Sequence, residues 1–137
     1  MIVVDTSALI AILRREPEAD DFLRIISFSG PCLVVSVSVM QASMVLAGRQ
    51  GSDIAWLGLD QLILRAGIQV VPQDRVLVDI ARDAFLRFGK GRHPAALNMG
   101  DCAAYALAKM RGLPLLFKGN DFSRTDLVAA VNPARSH

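Results

Sequence analysis

The sequence predicts an α/β protein with a mainly parallel central sheet of four or five strands flanked by helices. Short, continuous apolar runs alternate along the chain with longer segments whose apolar residues recur at helical spacing. Such strands and such an alternation are typical of a parallel sheet that is covered on both faces. A length of 137 residues with 53% hydrophobic residues predicts one globular domain, residues 1–137.

Four apolar runs have the length and composition of buried strands. They are IVV (2–4), CLVVS (32–36), IQVVP (68–72) and LPLLF (113–117), and LVAAV (127–131) is compatible with a short fifth strand. No internal repeat or low-complexity tract interrupts them. In parallel sheets of this kind, functional residues collect at the carboxyl ends of the strands.

Six segments between the strands carry helical patterns and terminal signals. Thr6 or Ser7 is predicted to cap a helix over residues 8–13, and Pro17 fits the start of a second helix that ends near Phe28. The second helix is expected to bury Phe22, Leu23, Ile25 and Ile26. Further helices are predicted over residues 38–50, stopping at Gly51, and over residues 52–67, 74–88 and 101–111, the last ending at Gly112. Met40, Met44 and Val45 recur at helical spacing in the third helix.

The composition excludes several classes of protein. No apolar run reaches the length of a membrane span and the N-terminal segment does not resemble a secretory signal, so a cytoplasmic protein without a membrane partner is expected. Cys32 and Cys102 lack the spacing of a zinc site and are predicted to be reduced core thiols. Neither a P-loop nor a dinucleotide fingerprint is present. A net charge of +2 permits a polyanionic partner without requiring one.

Acidic residues occur where the predicted strands end. Asp5 directly follows the first strand, and Asp121 lies just beyond the strand LPLLF. Gln41 and Asp101 are predicted in the first turns of helices that begin at the same edge of the sheet. The four side chains are therefore expected to converge on one pocket.

Each of these residues also has a purely structural explanation. Asp5 could serve as a turn acid, and Asp121 could be an ordinary loop acid. Asp101 could stabilise the N-terminal end of its helix with Asn98 as cap, and Gln41 could form a capping box with Ser38. Only the joint arrangement favours a functional site.

Carboxylates that share a pocket need a cation or protons to relieve their repulsion. Oxygen ligands without a convergent His or Cys favour Mg²⁺, with Mn²⁺ as an alternative, over zinc. Such an ion can bind a phosphodiester oxygen and activate a water molecule. The acids therefore indicate phosphodiester hydrolysis.

Three segments together resemble a known family: VVDTSALIAIL, GRHPAALNMGDCAAYALAK and LPLLFKGNDFSRTDL. In this order and at these separations they are similar to PIN-domain ribonucleases, and more closely to the VapC toxins of bacterial VapBC toxin-antitoxin pairs. The similarity runs from Met1 to about Val131. It implies a Mg²⁺-dependent endoribonuclease (a hydrolase of the EC 3.1 class), an RNA substrate, a homodimer and a VapB-like antitoxin that blocks the site.

The resemblance also implies roles for individual residues. Asp5 matches the first family acid, Asp101 the third and Asp121 the fourth, and Thr6 matches a hydroxyl residue that supports the first acid. The metal ligands would be Asp5, Asp101 and Asp121. Relatives commonly carry an acid at the place of Asn120, and other branches carry one at the place of Gly119, so the register of the fourth acid is open.

The departure from the family lies at position 41, where this chain has Gln in the place of the second acid, a Glu in relatives. Gln retains an oxygen ligand but has no negative charge and cannot act as a base. The substitution, natural or deliberate, predicts weakened metal binding and impaired or absent cleavage.

The loop before Asp101 carries Lys90, Arg92 and His93, which are predicted to hold RNA phosphates. A solvated basic turn is the alternative explanation. Partner surfaces are predicted on the apolar stripe of residues 8–26 and on the helix with Trp56, Leu57 and Leu59.

Two other functional classes remain open. One is an inactive PIN-fold binding protein. The other is a phosphoacceptor receiver-like domain, although this chain has Asp-Thr where that fold needs an acidic pair.

Overall fold

The structure is a computed structural model that describes residues 1–50 and 53–131. Its four strands are β1 (Ile2–Val4), β2 (Cys32–Val35), β3 (Ile68–Val71) and β4 (Leu115–Leu116). They form one parallel sheet in the order β3-β2-β1-β4. The predicted α/β fold with a parallel sheet is confirmed.

Within the described residues, six α-helices surround the sheet. They are α1 (Thr6–Leu13), α2 (Ala19–Phe28), α3 (Ser36–Gln50), α4 (Asp53–Arg65), α5 (Arg75–Phe88) and α6 (Met99–Arg111), and a 3₁₀ turn follows at Phe122–Arg124. No helix in these residues has the length and apolar character that crossing a membrane requires.

The side chains of each strand alternate between two cores. Ile2 and Val4 pack with α1 to α4 on one face of the sheet, whereas Val3 packs with α5 and α6 on the other. Because both faces are covered, every residue of β1 and β2 is buried, which explains the continuous apolar runs. Cys32 and Cys102 are buried free thiols, one in each core, as predicted.

Of the four or five strands expected, the described residues form four, and residues 127–131 do not form a fifth. This segment lies beside β4, where the Leu115 amide donates to the Val128 carbonyl and the Ala130 amide donates to the Leu115 carbonyl, each at 2.9 Å. The pairing is a single bridge between Leu115 and Ala129. It covers one edge of the sheet but is too short to form a strand.

Several predicted helix starts are corrected by the capping geometry. Asp5, and neither Thr6 nor Ser7, caps α1, because its side chain accepts from the Ser7 amide. The second helix begins after Glu18 instead of at Pro17. The third begins at Ser36, two residues early, and the predicted stop at Gly51 lies outside the described residues. The last helix begins at Met99, two residues before the predicted start. It ends as predicted at Gly112, whose φ of 63° is the left-handed conformation that glycine favours.

Burial of helical side chains departs from the pattern in two places. Leu23 is 41% exposed, unlike the other three members of the predicted stripe on α2. Met40, Met44 and Val45 face solvent on α3. Spacing identifies the helix here but not the face that the core covers.

The predicted partner surfaces are largely internal. Ala8 to Ile12, Phe22 and Leu59 are buried in the chain's own core, so their assignment to a partner surface is wrong. Trp56 and Leu57 are 42% and 56% exposed, which leaves this part of α4 accessible.

Candidate active site

Asp5 is held at the carboxyl end of β1 in an almost fully buried position. Its Oδ2 atom accepts from the Ser7 amide at 3.0 Å and from the Ser7 hydroxyl at 2.7 Å. Its Oδ1 atom is buried and has no hydrogen-bond partner. Burial raises the pKa of Asp5 above its usual value, although the two bonds from Ser7 oppose that effect. The carboxylate is therefore fixed in place with one oxygen unsatisfied.

Ser7 connects this acid to the segment after β4. Its hydroxyl donates to Asp5 and accepts from the Lys118 amide at 2.9 Å. The Lys118 ammonium in turn pairs with Glu16 at 2.9 Å and with Glu18 at 3.2 Å. Sequence reasoning missed Ser7 as a site residue, since only the fold brings residue 118 beside it.

Asp101 lies in the first turn of α6, as predicted, and takes part in a capping box with Asn98. The Asp101 amide donates to the Asn98 side chain at 2.8 Å, and the Asn98 amide donates to Oδ2 of Asp101 at 3.0 Å. Burial raises the pKa of Asp101 to about 6, and the nearby charges of Asp5 and Asp121 act in the same direction. The helix-capping role expected for Asp101 is thus correct for its Oδ2 atom. The Oδ1 atom of the same carboxylate lies outside the capping box.

Gln41 lies in the second turn of α3, one turn later than predicted. Its Oε1 atom is 3.0 Å from the Thr6 hydroxyl, and its carboxamide also lies against Gly100, the residue before Asp101. The alternative capping box with Ser38 is wrong, because α3 begins at Ser36 and Ser38 is buried inside the helix. Gln41 therefore points toward the segments that carry two of the acids.

Thr6 contacts two acceptors with one proton. Its Oγ1 atom is 3.0 Å from the Ser38 carbonyl and 3.0 Å from Gln41 Oε1. A hydroxyl donates one hydrogen bond at a time, whereas a Gln side chain can also donate. If the Gln41 carboxamide is turned so that Nε2 faces Thr6, Nε2 donates to the Thr6 hydroxyl oxygen. The Thr6 proton is then available for the Ser38 carbonyl.

Asp121 is exposed and stands immediately before the 3₁₀ turn, where its side chain makes no capping bond. Its charge raises the pKa of both Asp5 and Asp101, so the three acids share one rim of the sheet. In residues 1–50 and 53–131, however, no three His, Cys, Asp or Glu side chains form a group that could hold a metal ion. The acids approach one another without forming a closed cluster.

The residues present nevertheless fit a hard divalent cation. Oδ1 of Asp5 is a buried oxygen without a hydrogen-bond partner, and the pKa values of Asp5 and Asp101 are raised by burial and by the charges of neighbouring acids. A cation would relieve both effects. The donors at the rim are oxygens, as Mg²⁺ and Mn²⁺ prefer.

The basic loop separates into two kinds of residue. Lys90 and Arg92 are exposed, and the Arg92 guanidinium lies 5.9 Å from the centre of the Phe85 ring. His93 has a structural role, since its Nδ1 accepts from the Ala95 amide at 3.0 Å and its ring packs edge-on against Phe88 at 5.2 Å.

Asp126 forms a polar cluster that sequence reasoning missed. The buried Tyr105 hydroxyl donates to Asp126 at 2.6 Å, and the Lys109 ammonium donates to the same carboxylate at 2.8 Å. Desolvation opposes ionisation, but the bonds from Lys109 and Tyr105 prevail and lower the pKa of Asp126 to about 2. The cluster anchors the C-terminal segment to α6.

An apolar cleft of about 620 Å³ lies between α5 and α6. Phe85, Leu86 and Met99 line it and are 39%, 59% and 80% exposed. Asp5, Gln41, Asp101 and Asp121 do not line this cleft. Met99 and Cys102, which do, lie within two residues of Asp101 in the sequence. The cleft is thus a neighbouring surface and not the site itself.

Comparison with known proteins matches the PIN domain over residues 2–128. Ribonuclease VapC of Mycolicibacterium smegmatis is 44% identical over 131 residues, 96% of this chain and 100% of that protein. Ribonuclease VapC30 of Mycobacterium tuberculosis is 40% identical over 132 residues, again 96% of this chain and 100% of the relative.

Two solved structures share the fold at lower sequence identity. The crystal structure of Mycobacterium tuberculosis VapC20, a toxin that cleaves the sarcin-ricin loop, has a TM-score of 0.77 at 19% identity and covers 97% of this chain and 100% of that chain. A toxin-antitoxin complex from Klebsiella pneumoniae has a TM-score of 0.66 at 13% identity and covers 94% of this chain and 96% of that chain.

Proposed function

Because this chain belongs to the PIN-domain family of VapC ribonucleases, we propose that it is a metal-dependent endoribonuclease toxin of a toxin-antitoxin system. The observation that carries the proposal is the shared rim, where the charge of Asp121 raises the pKa of both Asp5 and Asp101. Asp5 also has a buried oxygen without a partner. Hydrolysis of RNA phosphodiesters is the chemistry that such a rim supports once a cation is bound.

Mg²⁺ would be the cation, with Mn²⁺ as a substitute, and Asp5, Asp101 and Asp121 would hold it. When bound, it would activate a water molecule and stabilise charge on the leaving oxygen. Asp5 would offer Oδ1, since Oδ2 is held by Ser7. Asp101 would offer Oδ1, since Oδ2 is held in the capping box. Asp121 is favoured over Asn120 as the fourth family acid, because its charge acts on both other acids.

Gln41 impairs this chemistry. Its carboxamide lies at the rim, beside Thr6 and Gly100, but it adds no negative charge and cannot take a proton from an attacking water. Thr6 and Asn98 act as supporting residues, one by holding side chain 41 and the other by fixing the turn that carries Asp101.

The test is Mg²⁺-dependent RNA cleavage by the chain and by Gln41→Glu. We expect Gln41→Glu to cleave about 100-fold faster or more, because a carboxylate restores both charge and basicity. Asp101→Asn in the Gln41→Glu background is the negative control. Equal rates for the chain and Gln41→Glu would contradict the impairment.

The second candidate, an inactive PIN-fold binding protein, is favoured by the same Gln41. It predicts that Gln41→Glu gains no cleavage with either Mg²⁺ or Mn²⁺. A receiver-like domain is less well supported, because Thr6 occupies the place of the second acid of the required pair. Acetyl phosphate should therefore not label the chain.

Lys90 and Arg92 are proposed to bind RNA phosphates, since both are exposed in the loop that leads to α6. His93 was predicted with them, and its ring Nε2 is left for such a contact while Nδ1 holds the loop. Replacing Lys90 and Arg92 by Gln should weaken RNA binding and reduce its salt dependence.

The proposed partners are a VapB-like antitoxin and a second copy of the chain in a homodimer, in the cytoplasm. The exposed apolar side chains of the α5–α6 cleft support the homodimer, because burying them against a second copy removes apolar surface from water. The accessible Trp56 and Leu57 on α4 leave a separate surface for the antitoxin.

A further inference from the structure

Gly100 occupies a buried position where a larger residue would be expected. It is the second residue of α6, and its backbone is not in the left-handed region that requires glycine. In a helix with ordinary backbone angles, alanine is more favourable than glycine. The glycine therefore needs an explanation other than backbone conformation.

The explanation is the space that the side chain of Gln41 occupies. A Cβ atom at Gly100 would lie 2.7 Å from Cδ and 2.8 Å from Nε2 of Gln41, and it would also overlap Oε1. Contacts this short are not tolerated, so the end of the Gln41 side chain would have to move. The missing Cβ is thus what allows α3 and α6 to hold this carboxamide between them.

The same carboxamide also contacts Thr6. Its Oε1 atom lies 3.0 Å from the Thr6 hydroxyl, and Thr6 follows Asp5 directly in the sequence. Gly100 precedes Asp101 directly. Side chain 41 therefore lies in a slot between Thr6 and Gly100, which are the sequence neighbours of Asp5 and Asp101. Glycine has no side chain that could rotate away to widen this slot.

We propose that Gly100 is a positioning residue, which sets where side chain 41 lies between Thr6 and the first turn of α6. The effect on catalysis rests on the proposed function, but the spatial coupling between positions 41 and 100 does not. Because Glu is nearly isosteric with Gln, the same slot would place a Glu at position 41 beside the acids.

The first experiment measures unfolding in urea for Gly100→Ala, Gln41→Ala and the double variant. We expect Gly100→Ala to reduce the folding equilibrium constant about threefold, because the displaced Gln41 carboxamide loses its contact with Thr6. In the Gln41→Ala background the same change should be neutral or stabilising, because the obstructing carboxamide is gone. An equal loss in both backgrounds would overturn the proposal.

Gly48→Ala is the matched control, since Gly48 is an exposed helical glycine on α3 with open space around it. It should stabilise the fold slightly in either background.

The second experiment measures Mn²⁺ binding to Gln41→Glu with and without Gly100→Ala. We expect Gly100→Ala to weaken binding by about tenfold, whereas Gly48→Ala leaves it unchanged. Unchanged affinity in Gln41→Glu/Gly100→Ala would overturn the positioning role. If Gln41→Glu binds no Mn²⁺ at all, the proposed metal-dependent function fails instead, while the unfolding experiment still decides the coupling.

Discussion

The hydroxyl of Thr6 lies 3.0 Å from the carboxamide oxygen of Gln41, 35 positions away in the sequence. This contact connects α1, which begins directly after Asp5, with α3, which follows the second strand. It places the one non-acidic member of the predicted site in direct contact with a residue that adjoins Asp5. Side chain 41 is consequently held from α1 as well as from α6.

Removing this hydroxyl should reduce both stability and activity. Thr6→Val keeps the shape of the side chain but loses the contacts to Ser38 and Gln41, which should cost about 1 kcal/mol of unfolding free energy. In the Gln41→Glu background, it should also slow RNA cleavage, because the introduced carboxylate would lose its hydrogen-bond donor. Urea unfolding and cleavage rates provide the test.

Ser43→Ala is a suitable control on α3, since the Ser43 hydroxyl donates to the Val39 carbonyl of its own helix at 2.8 Å. It should change neither property appreciably. Full cleavage by Thr6→Val in the Gln41→Glu background would rule out a supporting role for the hydroxyl.

Ser7→Ala should affect the site from the other side of Asp5. It removes the 2.7 Å bond to the carboxylate and the acceptor of the Lys118 amide. We expect a loss of about 1 kcal/mol in stability and weaker Mn²⁺ binding, because Asp5 and the segment leading to Asp121 are no longer fixed together. Calorimetric titration with Mn²⁺ measures the second effect.

Ser27→Ala removes an exposed hydroxyl that bonds to Leu23 on α2, and it should leave Mn²⁺ affinity unchanged. If Ser7→Ala behaves in the same way as Ser27→Ala, Ser7 has no role in positioning Asp5.

Asp126 should give the fold a specific sensitivity to acid. Its folded pKa of about 2 is lower than the usual value of 3.8. The stabilisation that it supplies is therefore complete above pH 4 and is lost as the pH falls toward 2. Asp126→Asn should lower stability at pH 6 and should flatten the decline in stability between pH 4 and pH 2.

The comparison for this experiment is Asp79→Asn, which removes an exposed acid that pairs with Arg75 and Arg82 on α5. Exposed helical pairs contribute little, so its profile should follow that of the unmodified chain. Parallel profiles for Asp126→Asn and the unmodified chain would contradict the anchoring role of Asp126.

The apolar cleft between α5 and α6 should determine the oligomeric state. Leu86→Glu places a charge on a side chain that is 59% exposed and lines the cleft, so it should produce folded monomers. Analytical ultracentrifugation of the chain and the variant measures this directly. Leu64→Glu on α4, at 81% exposure and outside the cleft, should remain dimeric. A dimer that survives Leu86→Glu would exclude this face.

The sequence alone determined the fold class, because continuous apolar runs such as those of β1 and β2 are stable only when both faces of a sheet are covered. It also predicted that Asp5 and Asp121 lie at the carboxyl edge of the sheet, because each comes after the end of a strand and the strands are parallel. The cap of α6 at Asn98 and its end at Gly112 were predicted correctly from local chemistry.

Only the tertiary structure decided which partners these residues meet. Ser7 touches the Lys118 amide across 111 positions, and Gln41 fits against a glycine that belongs to a different helix. Local patterns report backbone preference and periodicity, but they carry no information on side chains that approach from distant segments. For that reason the spacing of Ser38 and Gln41 predicts a capping box, whereas the packing of α3 against α6 decides where the Gln41 carboxamide lies.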